Sequence, residues 1–224
     1  MPKRGPILKN TRNEPEVLVV PGTFLREVRR GTRGPDTTFP FTVPVIRALE
    51  RLAFPTAVTF LVGENGSGKS TLLEGMEYAD RSAFAKGLAM GPVRASLGDM
   101  ERRYGLDLDA NSHGQSFVKL FQSRLVPNGL YLLDEPEAPL SPQSQLGLMV
   151  MIQDMVAQGA QFIIATHSPI LLAYPGATIY SFDRVPAEVV AYDELEHVVL
   201  TRDFLNAPAR YLRALLGEPQ SGRY

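Results

Sequence analysis

Short apolar runs alternate with amphipathic stretches along most of this chain, and the alternation predicts where strands and helices fall. Ala57 to Val62, Gly129 to Asp134 and Gln161 to Thr166 are apolar runs too short for helices, as strands buried in a parallel sheet would be. Helical spacing begins near Lys69 and continues through Thr71 to Glu77, reappears at Ser116 to Leu125, and returns at Gln143 to Gln158. That last segment carries its apolar stripe on Leu146, Met149, Val150 and Ile152 and is stopped at Gly159. Val45, Leu49 and Leu52 share one face of a short helix. Phe24 to Arg30 reads as a strand, Thr178 to Phe182 and Glu188 to Tyr192 as a terminal pair of strands, and Thr201 to Leu216 as a closing helix.

Strands alternating with helices predict an α/β fold, a mainly parallel sheet with helices on both faces. The rest of the chain is less regular. Residues 1–22 hold Pro2, Pro6, Pro15, Pro21 and Gly22 around a Val17 to Val20 run and read as an irregular arm. Residues 80–111 show little apolar period and contain Gly87, Gly91, Pro92, Gly98 and Gly105, which suggests a small irregular or partly helical inserted lobe. No internal repeat or heptad run is present.

Composition narrows the classes. A chain of 224 residues with 44% hydrophobic and 21% charged residues is expected to fold as one domain, 1–224. The formal net charge of -1 argues against a nucleic-acid footprint over the whole surface. Lys3, Arg4, Lys9, Arg12, Arg26, Arg29, Arg30 and Arg33 nevertheless outnumber Glu14, Glu16 and Glu27 near the start, as either a solvated surface or a face for an acidic partner. With 0 cysteines, disulfides, thiol catalysis and cysteine metal sites are excluded, and the 3 histidines are too scattered to suggest a zinc cluster. The N-terminus lacks the apolar core of a signal peptide and no apolar run is long enough to span a bilayer, so a soluble cytoplasmic protein is expected.

The densest chemistry lies at Gly63-Glu64-Asn65-Gly66-Ser67-Gly68-Lys69-Ser70, which fits G-x-x-x-x-G-K-[ST], the Walker A phosphate loop, in the required strand, loop, helix order. Gly63, Gly66 and Gly68 let backbone N–H groups approach a polyphosphate, and the helix start adds its positive dipole end. Lys69 adds a point charge for the outer phosphates, and Ser70 offers Mg²⁺ a hydroxyl. The candidate nucleotide set is therefore Gly63, Glu64, Asn65, Gly66, Ser67, Gly68, Lys69, Ser70 and Thr71.

Three further segments carry candidate chemistry. Leu130 to Pro136 has Walker B form, apolar residues followed by Asp134 for the Mg²⁺ shell and by Glu135, which can polarise a water in line with the γ-phosphorus. Asn111-Ser112-His113-Gly114-Gln115-Ser116 precedes a helical segment, and either a capped helix start or an anion-facing Gly114 amide would produce it. Ala165-Thr166-His167-Ser168-Pro169 puts His167 just beyond a buried strand, where its imidazole could contact a γ-phosphate. Ligands of such sheets bind at the carboxyl ends of the strands, so Gly63, Asp134 and His167 should share one edge.

Taken in order, GENGSGKS, SHGQ, LLDEPE and THSP resemble the ATP-binding-cassette superfamily of P-loop ATPases, and look closest to its small stand-alone bacterial members of AAA type, over about residues 40–185. The resemblance implies Glu135 as catalytic base and His167 as switch histidine, with Lys69 on the transferred phosphate. It implies Ser112, Gly114 and Gln115 as a signature binding ATP held by the other subunit, with two nucleotides sandwiched in a head-to-tail homodimer. ATP and Mg²⁺ are the implied ligands; ATP is favoured over GTP by resemblance alone, and no N-K-x-D motif appears.

Several positions depart from the family pattern. Asn111 and His113 replace the usual Leu and Gly of the signature, and no glutamine lies between Thr71 and Asn111 to serve as a Q-loop. Ala138-Pro139-Leu140-Ser141 stands where a loop ending in Asp is common, and Phe39 and Phe41 are at a suitable distance upstream either to stack on adenine or to fill the core. Three roles are consistent with this pattern: an ATPase acting on a protein or nucleic-acid partner, the nucleotide-binding subunit of a membrane transporter, and a non-hydrolysing ATP-dependent switch. A family member with its own long coiled coil is excluded, because no heptad arm lies between GENGSGKS and SHGQ.

Overall fold

The architecture is taken from a computed structural model that describes residues 24–29, 39–84 and 125–217. The central strand is β3 (Val58–Val62), every residue of which is buried. It is flanked on one side by β5 (Gln161–Ala165) and then β4 (Leu130–Asp134), and on the other by β6 (Thr178–Ser181) and then β7 (Glu188–Val189). All pairings except β6 with β7 are parallel, with Phe60 opposite Ile164 on one side and Ile179 on the other. A second, two-stranded sheet pairs β1 (Glu27–Arg29) with β2 (Arg51–Ala53) in antiparallel register.

The alternation of strand side chains divides the core in two. Val58, Phe60 and Val62 face a cluster completed by Leu148, Met151, Ile152 and Met155 of the helix Pro142–Ala157, by Leu171 and Leu172 of the short helix Pro169–Leu172, and by Val198. Leu61, Ile163 and Ala165 face the other cluster, with Val45 and Ile46 of α1 (Pro44–Arg47) and Leu72, Leu73 and Met76 of α2 (Lys69–Phe84). Fully burying each large side chain here, Phe60 and Phe162 among them, contributes roughly 1.5–3 kcal/mol. In order, the helices after β4 are α3 (Pro142–Ala157), α4 (Pro169–Leu172), α5 (Glu196–Asn206) and α6 (Pro208–Leu216). Ser141 caps α3, its side chain accepting from the Ser144 amide, and Pro142 follows in the first turn.

The expected α/β order holds, with differences in detail. The helix expected through Leu52 ends at Arg47, and Arg51 to Ala53 form β2, because Arg51 meets Glu27 of β1 at 2.7 Å and the strands pair. Leu49 and Leu52 still enter the same cluster as Val45. On α3 the buried stripe runs through Leu148, Met151, Ile152 and Met155, while Leu146 and Val150 are exposed. The closing helix is two helices: Pro208, with no N–H to continue the ladder, starts α6 after Ala207 leaves helical geometry. Leu200, Leu205, Leu212, Leu215 and Leu216 of this pair are exposed. The arm at 1–22, the helix expected from Ser116 and most of the 80–111 lobe lie outside the described residues, although α2 runs on to Phe84.

Buried Gln161 fastens the small sheet to the large one. Its side-chain carbonyl accepts from the Leu25 amide and its NH₂ donates to the Leu25 carbonyl, both at 2.8 Å, as a neighbouring strand would. Tyr180 adds a second tie by donating its hydroxyl to the Ala53 carbonyl at 2.7 Å.

Candidate nucleotide site

The phosphate loop is shaped by contacts that exclude side chains. Gly68 sits at φ +105°, and a Cβ there would lie 2.7 Å from Val45 Cγ1 and 2.8 Å from Val43 Cγ1, so the approach of α1 to the loop requires glycine. Gly63, at φ +145°, would put a Cβ 2.9 Å from Ser67 Oγ and 3.0 Å from Asp183 Oδ1. Asp183, just past β6, accepts from the Glu64 amide at 2.6 Å and holds the first bend of the loop. The first turn of α2 contains no acidic residue, so its free amides keep their positive end for an anion.

Lys69 is only 5% exposed and its ammonium donates to the carbonyls of Gly63 and Glu64. Burial pulls its pKa below the ordinary 10.5, opposed by the charges of Glu135, Asp183, Asp134 and Glu64. A polyphosphate is the kind of counter-charge such an ammonium favours. Ser67 Oγ is buried and makes no hydrogen bond among the described residues, a further polar group facing inward at the loop.

Asp134 ends β4, and Glu135 takes the left-handed φ of +46°, uncommon outside glycine and often found at functional turns. The Glu135 amide donates to the Ala165 carbonyl at 2.8 Å, which stitches this turn to the end of β5. Just past that end, His167 brings Nε2 to 3.6 Å from Glu135 Oε1, both side chains about half exposed, 41% and 50%. Gly63, Lys69, Asp134, Glu135 and His167 thus gather at the carboxyl edge of neighbouring strands β3, β4 and β5.

Ser70 and Asp134 offer oxygen donors of the kind Mg²⁺ takes, and no group of three His, Cys, Asp or Glu able to hold a metal occurs among the described residues. The donor set therefore fits an ion that is completed by phosphate and water rather than caged by protein. Ser112, Gly114 and Gln115, with Asn111 and His113, lie outside the described residues. Phe39 is exposed, whereas Phe41 packs against the second core cluster.

Four residues not singled out in the sequence belong to the site or its frame. Glu137 accepts from Thr166 Oγ1 at 2.6 Å and from the His167 amide at 2.8 Å. Gln145 of α3 takes the Ser168 hydroxyl at 2.5 Å and donates to the Leu140 carbonyl. Asp183 holds Glu64, as described. His197, in the first turn of α5, has a buried Nε2 without a hydrogen bond among the described residues, and burial lowers its pKa below 6.5, reinforced by His167 and opposed by Asp183 and Glu64. Glu137 was within reach of a sequence reading, three positions past Asp134; Asp183 and His197 were not, because only strand order brings them to this edge.

Comparison with known proteins finds similarity over part of the chain. Residues 116–173 match the family model described as "AAA domain, putative AbiEii toxin, Type IV TA system". The cobalt import ATP-binding protein CbiO of Salmonella typhimurium is 34% identical over 103 residues, a match spanning 42% of this chain and 38% of that protein, and CbiO of Salmonella typhi matches equally. Among solved structures, CbiO1 of Clostridium perfringens, part of the ABC transporter complex CbiONQ, overlays with a TM-score of 0.40 at 18% identity, covering 72% of this chain and 89% of that one. The ADP form of MJ1267, an ATP-binding cassette of an ABC transporter, overlays at 0.36 with 15% identity, covering 72% and 92%. Over the part of its length that these matches cover, this chain is similar to ATP-binding proteins of the ATP-binding-cassette superfamily of P-loop ATPases.

Proposed function

We propose that this chain is a single cytoplasmic ATPase domain that binds ATP with Mg²⁺, hydrolyses it, and uses ATP-driven head-to-tail dimerisation to act on a protein or nucleic-acid partner. The observation that carries the reading is the meeting of Glu135 and His167 at 3.6 Å on the edge where Lys69 and Asp134 also lie. In this reading Gly63 to Thr71 cradle the phosphates, Lys69 neutralises charge on the outer ones, and Ser70 and Asp134 hold Mg²⁺, which would draw charge from the phosphate oxygens. Glu135 orients and deprotonates the attacking water, and His167 holds the terminal phosphate beside it. Ser112, Gly114 and Gln115 would complete the site of the opposite subunit.

The test is Mg²⁺-dependent turnover and size-exclusion mass of the wild type beside Glu135→Gln. The variant should lose turnover on the order of a hundredfold or more and accumulate as an ATP-bound dimer. A wild type that neither turns over ATP nor dimerises with it would defeat the reading. The similarity to a cobalt import ATP-binding protein favours a second reading, a nucleotide-binding subunit for a separate transmembrane partner. Among the described residues no helix is long and apolar enough to cross a membrane. Co-purification with a membrane protein in the presence of ATP would decide for it, and the want of a glutamine between Thr71 and Asn111 weighs against it.

A further inference from the structure

We infer that Glu137 is a positioning residue for hydrolysis: it fixes the backbone of the switch loop so that His167 faces Glu135. The inference rests on the ATPase reading above and adds a residue to it. Glu135 and His167 come from different strands, and a 3.6 Å meeting of two half-exposed side chains needs their backbones held together. Two links do so. The Glu135 amide donates to the Ala165 carbonyl, which holds the acidic turn to β5. In the opposite direction, Glu137 Oε1 receives both the Thr166 hydroxyl at 2.6 Å and the His167 amide at 2.8 Å, which holds the switch loop to the acidic turn.

The geometry marks Glu137 as a tether. Its Oε1 is spent on two donors, and its Oε2 is buried without a hydrogen bond among the described residues. Charge-assisted bonds from a backbone amide and a buried hydroxyl are short and directional, which suits holding a loop in one register. The tether continues past His167: Thr166 Oγ1 receives the Ser168 amide at 3.0 Å, and Ser168 Oγ donates to Gln145 at 2.5 Å, so both ends of the loop are anchored and the imidazole between them is left to face the site. The bonds require only an acceptor at Oε1. A neutral amide of the same shape should therefore serve, and an isosteric apolar side chain should not.

Glu137→Gln and Glu137→Met separate these cases. The Gln variant should keep kcat within about threefold, and the Met variant should lose roughly a hundredfold in kcat with KM for ATP nearly unchanged. His167→Ala should lose a similar factor, and adding Glu137→Met to it should cost little more, since both act through one imidazole. Thr166→Val, which removes one donor, should lose about tenfold. Near-normal turnover in Glu137→Met, equal damage in the Gln variant, or multiplying losses in the double variant would overturn the inference. If Glu137→Met does not fold, wild-type turnover in Thr166→Val overturns it. If the wild type turns over no ATP, the hydrolysis reading fails by itself, and amide hydrogen exchange decides the tether: His167 N–H should exchange about tenfold faster in the Met variant and unchanged in the Gln variant, and equal exchange in all three refutes it.

Discussion

Two loops at the same sheet edge are held in opposite ways. The phosphate loop is shaped at Gly68 by what is missing there: the backbone lies so close to Val43 and Val45 that no side chain fits. The switch loop at Thr166 to Ser168 is fixed by what its side chains and amides reach, namely Glu137 and Gln145. The first device works by close approach of the backbone; the second occupies the amides of His167 and Ser168 and leaves one side chain, His167, beside Glu135. In the proposed ATPase one loop would wrap an anion and the other would present an imidazole, tasks that call for these different solutions.

The contrast can be broken most forcefully at Gly68. Gly68→Ala forces a Cβ into two valines at a positive φ, and should cost about 3 kcal/mol, a fall of roughly 10 °C in Tm, together with loss of ATP binding by fluorescence titration. On the other loop the comparable insult is milder. Thr166→Val takes one of two donors from Glu137 Oε1 and leaves the Ser168 amide without its acceptor, and chemical denaturation should show a loss of about 1–2 kcal/mol with ATP affinity retained. If the two substitutions cost the same and both abolish binding, the distinction between a steric and a hydrogen-bonded loop fails.

The smallest effect sharpens the comparison where the loops meet. His197 feels His167 of one and Glu64 of the other, and its burial favours the neutral imidazole. Its folded pKa lies below the unfolded 6.5, so as pH falls through that value the unfolded chain takes up the proton first and stability is lost; above it the residue contributes no pH dependence. Replacing it by Gln should flatten the decline of Tm between pH 7 and 5 by a small margin, because a half-buried group is partly screened. An unchanged slope would place His197 in water.

Much of this edge was legible from local order. The run Val58 to Val62, the glycines and Lys69 are contiguous, so their roles need no knowledge of the fold. Glu135 and His167 were readable one at a time, each at the end of an apolar run, but their proximity depends on β4 lying beside β5, which no local pattern states. Glu137 stands in plain view three positions past Asp134, but its donors, Thr166 and His167, follow the end of β5, and no local pattern states that meeting. Elsewhere the apolar period misled where a long-range pairing competed, as at Arg51 to Ala53, or where an amphipathic stripe was taken one step out of phase, as at Leu146 and Val150. Pro208 was the one signal in plain view that the closing helix had to break.

The position of β3 in the middle of its sheet also bears on how the chain is made. Phe60 pairs with Ile164 on one side and Ile179 on the other, so the strand that leads into the phosphate loop leaves the ribosome roughly a hundred residues before either neighbour exists. Until then an apolar segment buried in the finished protein has no sheet to join. A nascent chain halted before Ala165 should therefore be a substrate for chaperones and proteases, and the nucleotide site, early in the sequence, should be among the last parts to acquire its shape.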